Sequence, residues 1–138
     1  MSATQYQSPI QRLFREAFDK GNLAAVDEVL ISDCIVHNSE TGLINNIDGI
    51  KRLISILRTA FPDLQCVVED EIMDGRKVAA YWTLSGTHEG IFNGISPTGK
   101  SMKIQGIIFA RLANGMITEY WISIDQYGML QQLGIIPR

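Results

Sequence analysis

Apolar residues recur at helical spacing along the first part of the chain. Ile10, Leu13, Phe14, Ala17 and Phe18 fall three and four apart, behind Ser8 and Pro9, which supply a capping hydroxyl and a residue already held at helical φ. This predicts a first helix ending at Gly21. Leu23, Val26, Val29 and Leu30 predict a second, short helix, followed by an extended "CIVHN" at 34–38 and a polar loop containing Gly and Asn. Ile47, Ile50, Leu53, Ile54, Leu57 and Phe61 mark a third, amphipathic helix. It stops at Phe61 because the residue before a proline, here Pro62, is pushed out of the helical region.

Beyond Pro62 the pattern changes to strands. "LQCVVEDEIMDG" runs into an Asp74-Gly75 turn with "RKVAAYWTLSGTHEG" as its hairpin partner, and "KSMKIQGIIFARLANG" joins "MITEYWISID" through Asn114-Gly115. Helices first and long antiparallel strands after them predict an α+β domain with the helices gathered on one face of the sheet. If such a sheet is strongly curved, it encloses a pocket. No internal repeat, linker or low-complexity tract interrupts the pattern, so residues 1–138 are expected to form a single domain.

Composition narrows the partners. With 46% hydrophobic residues in 138, the chain has material for one core. A net charge of −3, with the Lys and Arg scattered, argues against a phosphate-binding surface and so against nucleic acid. Cys34 and Cys66 lack redox-motif spacing and read as small buried residues. "MSATQYQSP" has no signal pattern and no apolar run is long enough to cross a bilayer, which leads to the expectation of a cytoplasmic protein with no membrane partner.

The candidate chemistry centres on "EYWISIDQYGMLQQLG" at 119–134. Alternation puts Trp121, Ser123 and Asp125 on one face and Tyr120, Ile122 and Ile124 on the other. Asp125 has two readings: a cap for the C-terminal segment, or a proton acceptor in an apolar pocket, where loss of hydration makes a carboxylate a better base. His37 and His88 read either as hydrogen-bonded residues at strand ends or as pocket groups that polarise a carbonyl or orient a base. A metal site is not expected from two distant histidines and unpaired cysteines. Gln105, in the apolar centre of "KIQGIIFARL", either donates to a substrate oxygen or faces solvent beside Lys103. "GISPTGKS" satisfies a phosphate-loop string, but it sits between two strands and leads into no helix, so the match is accidental.

The F-P-D-L of "AFPDLQ", the G-T-H-x-G of "SGTHEG", the P-T-G-K of "ISPTGK" and the E-x-W-x-x-x-D of "EYWISID" occur in the order in which the SnoaL-like polyketide cyclase (ester cyclase) family has them. The resemblance covers nearly the whole chain, including "DKGNLAAVDEVLISDCIVHN". It implies a nuclear transport factor 2-like cone, in which N-terminal helices pack on a strongly curved, mainly antiparallel sheet around an apolar cavity. It further implies homodimers or higher homo-oligomers, and intramolecular aldol ring closure without metal or cofactor. The family's catalytic aspartate corresponds to Asp125; in the catalytic reading of the residues themselves, His37, His88 and Gln105 polarise an oxygen or orient the base and Trp121 is a cavity wall. One departure stands out: the aromatic polyketide cyclases carry a histidine on the strand before the last, whereas 102–112 here has none, and Gln105 is the nearest polar substitute.

Three functions follow as expectations. The first is acid–base catalysis of cyclase or isomerase type on a small, mostly apolar carbonyl compound, with Asp125 as acid and base. The second is a non-catalytic module of the same fold that binds a small apolar ligand. The third resembles epoxide hydrolases of this fold, with Asp125 and Arg111 activating water.

Overall fold

The computed structural model describes residues 8–38 and 47–137. Ser8 caps α1 (Pro9–Arg12), its Oγ accepting from the Gln11 amide at 3.1 Å, and the chain continues directly into a π-helical stretch, Leu13–Asp19. The sequence predicts ordinary helix here. Residues four apart stay on nearly one face under either winding, so apolar periodicity does not distinguish the two. The short α2 (Ala24–Val29) leads into β1 (Leu30–Asn38), and α3 (Ile47–Ala60) covers the sheet with Ile50, Ile54, Leu57 and Ala60 buried.

The strands that follow are β2 (Gln65–Asp74), β3 (Lys77–Thr87), β4 (Ser101–Ala113) and β5 (Met116–Ile124), and α4 (Gln126–Gln132) closes the chain. They form one five-stranded sheet in the order β1-β5-β4-β3-β2, with β1 parallel to β5 and every other pair antiparallel. The expected α+β architecture is therefore observed. Both hairpins form where Asp74-Gly75 and Asn114-Gly115 predict them. Asn114 and Gly115 both take positive φ, 53° and 78°, as the tight hairpin turn requires.

One face of the sheet is core. Val78, Ala80, Trp82 and Leu84 on β3 and Met102, Ile104, Ile108 and Ala110 on β4 alternate inward against α1, the π-helical stretch and α3. A gap in β4 accommodates the largest of these side chains. The Trp82 indole lies over Gly106, where a built Cβ would come within 2.1 Å of the ring. Cys34 and Cys66 are both buried and free, as small core residues.

The loops that carry Asp63, Thr87 and Gly90 meet at the C-terminal end of α3 and hold it onto the sheet. Asp63 accepts the Thr87 amide at 2.7 Å and the Thr87 hydroxyl at 2.8 Å, and these bonds, the backbone one foremost, hold its carboxyl below the usual carboxylate range. The Glu89 and Gly90 amides donate to the Ala60 carbonyl at 3.0 and 3.1 Å, satisfying an acceptor that the helix end leaves open. Two glycines permit this closeness. A Cβ on Gly86 would stand 2.8 Å from that of Phe61, and one on Gly90 would stand 2.0 Å from the Thr59 carbonyl oxygen.

Gly90→Ala should therefore lose stability through a backbone collision, by roughly 3 kcal/mol, the upper range for overpacking. Gly94 has φ of 81° and nothing within 4 Å, so Gly94→Ala should cost only about 1 kcal/mol, from conformation alone. Urea unfolding of the two variants measures the difference; equal losses would mean that the loop does not hold α3.

Candidate functional site: the cavity between helices and sheet

An apolar cavity of about 30 Å³ lies between the helices and the inner face of the sheet. Phe14 and Phe18 of the π-helical stretch and Leu53 and Leu57 of α3 form one wall. Trp82 of β3, Ile108 of β4, and Tyr120, Ile122 and Ile124 of β5 form the opposite one. At this volume it has room for a water or two, so a larger occupant must part the wall.

The polar side-chain atoms among the lining residues are Tyr120 Oη, Trp82 Nε1 and Cys66 Sγ. None carries charge at neutral pH. Burial, with Cys34 adding to it, raises the Tyr120 phenol above its ordinary value, and burial, with Asp19 adding to it, does the same to the Cys66 thiol. Tyr120 therefore stays a hydroxyl donor. The Trp82 indole N–H is buried without a partner among the described residues, as is His88 Nε2 in the loop after β3. Protein donors are seldom left so.

The residues expected to accompany Asp125 are distributed differently. Ile122 and Ile124 face the cavity, so Trp121 stands on the opposite face of the sheet and is not a cavity wall. His37 stacks on Trp121 there, with ring centroids 4.7 Å apart and planes within 9°, and its Nε2 pairs with Glu119 Oε2 at 2.7 Å. The Arg111 guanidinium lies 5.6 Å from the Trp121 ring centroid and 5.8 Å from that of Phe109, with Glu119 at 3.7 Å. This arrangement removes Arg111 from the role that an epoxide-hydrolase reading gives it.

His88 is fully buried in the loop after β3. Its Nδ1 accepts the Thr98 amide at 3.2 Å, and its ring packs against Phe61 and Phe92. It ties "GTHEG" to "PTGK", a role in the frame and not in the cavity. Gln105 is exposed on the outer face, opposite Thr83, beside Lys103 and Ile107 along its own strand. The solvent-facing reading of Gln105 is thus the observed one. Of the four companions, the structure brings together His37 and Trp121 alone, outside the cavity.

Asp125 stands one residue beyond the cavity-lining Ile124. Its backbone, with φ −78° and ψ 72°, has left the strand, so sheet alternation no longer aims its side chain. Oδ1 caps α4 by accepting the Gly128 amide at 2.9 Å, and Oδ2 makes no hydrogen bond to a described residue. Gly128 leaves room for this: a Cβ there would come within 2.2 Å of Oδ2. The carboxylate is exposed, so the burial expected of it is not found.

Trp82 and Tyr120, the polar groups that do line the cavity, were not singled out by sequence reasoning. The signal was present in alternation: Trp82 shares a face with Val78, Ala80 and Leu84, and Tyr120 with Ile122 and Ile124. Among the described residues, no three His, Cys, Asp or Glu side chains converge to hold a metal ion, and no helix is long and apolar enough to cross a membrane.

A family profile described as SnoaL-like polyketide cyclase matches residues 8–133. Among solved structures, IdmH of Streptomyces antibioticus, described as a candidate polyketide cyclase, is 28% identical with a TM-score of 0.79, over 91% of this chain and 96% of that one. A candidate polyketide cyclase of Bacillus cereus is 26% identical with a TM-score of 0.81, over 94% and 80%. AclR of Streptomyces galilaeus, described as a candidate hydroxylase, is 25% identical with a TM-score of 0.82, over 94% and 81%. A comparison with curated proteins gives no match.

The buried thiols generate an alkaline prediction. Burial foremost, then the Glu119 carboxylate, pushes Cys34 up to about 11 from an ordinary value of 9.0. Between those values the unfolded chain releases a proton that the native one keeps, so stability falls as pH rises. The urea midpoint should decline from pH 9 to 11, and less steeply in Cys34→Ala. An equal slope in that variant would contradict the assignment.

Proposed function

Because the chain belongs to the SnoaL-like polyketide cyclase family, we propose that it catalyses cofactor-free acid–base chemistry on a small, mostly apolar carbonyl compound held in the cavity. The reaction is of cyclase or isomerase type. Asp125 is its acid and base. The observation that carries this reading is the placement of the Asp125 carboxylate: one oxygen is fixed by the Gly128 amide, the other makes no bond to a described residue, and the residue before it lines the cavity. In the aldol reading, Oδ2 takes a proton from the carbon next to a carbonyl, and the enolate attacks a second carbonyl of the same molecule. The new carbon–carbon bond leaves an alkoxide, to which the carboxylic acid returns the proton. In the isomerase reading the proton returns to a different carbon.

A binding module is the second reading, favoured by a wall that carries no charged side chain. Exchange of the protons next to the carbonyl of a bicyclic ketone in D₂O, followed by NMR, separates the two without knowledge of the natural substrate. The protein should accelerate exchange. Asp125→Asn should lose this acceleration by about 10²–10⁴-fold, the usual worth of a positioned base. Asparagine caps a helix about as well as aspartate, so Asp125→Asn should melt like the parent, whereas Asp125→Ala should cost about 1 kcal/mol. No acceleration by the parent would leave the binding module as the better reading, and undiminished exchange in Asp125→Asn would remove Asp125 from the role of base.

We also propose that two copies associate through the outer face of the sheet. Tyr81 pairs with Ile107 in register there, beside Phe109 and Trp121, and Ile107 is 59% exposed. An apolar strip of this kind, rimmed by the His37, Glu119 and Arg111 group, has the composition of an interface. Sedimentation should give a dimer for the parent and a monomer for Ile107→Asp with unchanged circular dichroism. A monomeric parent at tens of micromolar would rule this out.

A further inference from the structure

The strand β4 is longer than its neighbour. It runs from Ser101, whereas its pairing with β5 begins at Gly106, opposite Ile124. The backbone of 101–105 therefore has no β5 residue beside it. In an antiparallel ladder the N–H and C=O of one residue point the same way, and those two residues along point with them. The Gln105 carbonyl points toward β5, where it accepts the Asp125 amide at 3.4 Å, so both backbone groups of Lys103 open on that side too. Gln132 fills the place. Its Oε1 accepts the Lys103 amide at 2.7 Å, and its Nε2 donates to the Lys103 carbonyl at 3.1 Å. A carboxamide carries the donor and acceptor of a peptide group side by side, so this side chain continues the ladder that β5 leaves.

The helix α4 thus has Asp125 as its N-cap and, as its last residue, the side chain that is fastened to β4. Met129 and Leu133 bury its apolar side, but burial is non-directional and does not by itself stop a short helix from sliding or rolling. The paired bonds of Gln132 fix its register. Because Asp125 Oδ1 is bound to the Gly128 amide of the same helix, a shift of α4 turns the carboxylate with it.

We infer that Gln132 is a positioning residue: by fastening the end of α4 to the Lys103 backbone, it fixes the direction in which Asp125 Oδ2 points. This rests on the reading of Asp125 as acid and base. Gln132 acts through Asp125 and not on the substrate, so its contribution belongs to turnover and not to binding.

Gln132→Met removes both bonds while keeping the length and helix preference of the side chain. It should melt within a few degrees of the parent, since the Lys103 backbone, at an exposed position, takes water instead. With the bicyclic ketone 6-methoxy-1-tetralone in D₂O, kcat for proton exchange should fall about 10- to 100-fold and KM should stay within twofold. Gln132→Ala should do the same. Gln131→Met makes the same chemical change one residue earlier, where the amide donates to the Pro137 carbonyl at 3.2 Å, and should keep the parent's kcat. Amide hydrogen exchange gives a readout that needs no substrate: protection of the Gly128 amide should fall roughly tenfold in both Gln132 variants, while the Glu89 amide, bound to Ala60, keeps its own.

An unchanged Gly128 amide would overturn the inference, whether or not kcat fell. So would a loss of kcat matched by Gln131→Met, or a loss of Gly128 protection with kcat unchanged. A parent that does not accelerate exchange would overturn the acid–base reading, and the Gly128 amide alone would then decide whether Gln132 holds the Asp125 carboxylate in place.

Discussion

The structure depends on the closure of α3 over the sheet. An amphipathic helix gains stability only by burying its apolar stripe, and α3 does so by packing Ile50, Ile54 and Leu57 inward. Its C-terminal end is fixed by backbone contacts that side-chain packing alone does not provide. The amides of Glu89 and Gly90 reach the Ala60 carbonyl, and Asp63 holds Thr87 from the other side. The first contact needs the absence of a side chain at Gly90, where even a methyl group would meet the Thr59 oxygen. Because α3 forms one wall of the cavity, this loop sets the cavity's shape without touching its interior.

A division of labour follows. The motifs that mark the family in the sequence, F-P-D-L, G-T-H-x-G and P-T-G-K, form the frame: Asp63 to Thr87, Gly86 against Phe61, and His88 to Thr98. The E-x-W-x-x-x-D stretch divides in two. Glu119 and Trp121 hold His37 and Arg111 on the outer face, and Asp125 caps α4 at the inner end of the same strand. Capping and proton transfer are compatible in one carboxylate because they use different oxygens. The cap also limits the rotation of the side chain, which is what a base acting on a bound carbon needs.

The fold was legible because it rests on local rules. Helix spacing, the Pro62 stop and the two Gly turns gave the elements, and a mainly antiparallel sheet followed from them. The π-helical winding of 13–19 was not legible, since Phe14 and Phe18 keep to one side in either geometry. The site was half legible. Alternation sorted β5 correctly into Trp121 and Tyr120 faces, but nothing in a period of two says which face meets the helices. Trp121, expected beside Asp125 in the pocket, lies on the other side of the sheet from the cavity. Asp125 escapes the alternation because its backbone has already turned out of the strand. His88 shows the converse, a family-motif histidine buried in the frame, its Nδ1 on the Thr98 amide and its Nε2 without a partner among the described residues.

The central proposal is that the ligand is held on the inner face, beside Ile124 and Asp125, and not around the histidine and tryptophan outside. A crystal structure of the protein with 6-methoxy-1-tetralone tests it most directly. The account predicts the ligand in the cavity between helices and sheet, with the carbon beside the carbonyl facing Asp125 Oδ2. A ligand lying against Trp121 and His37 on the outer face, with the cavity unchanged, would contradict it.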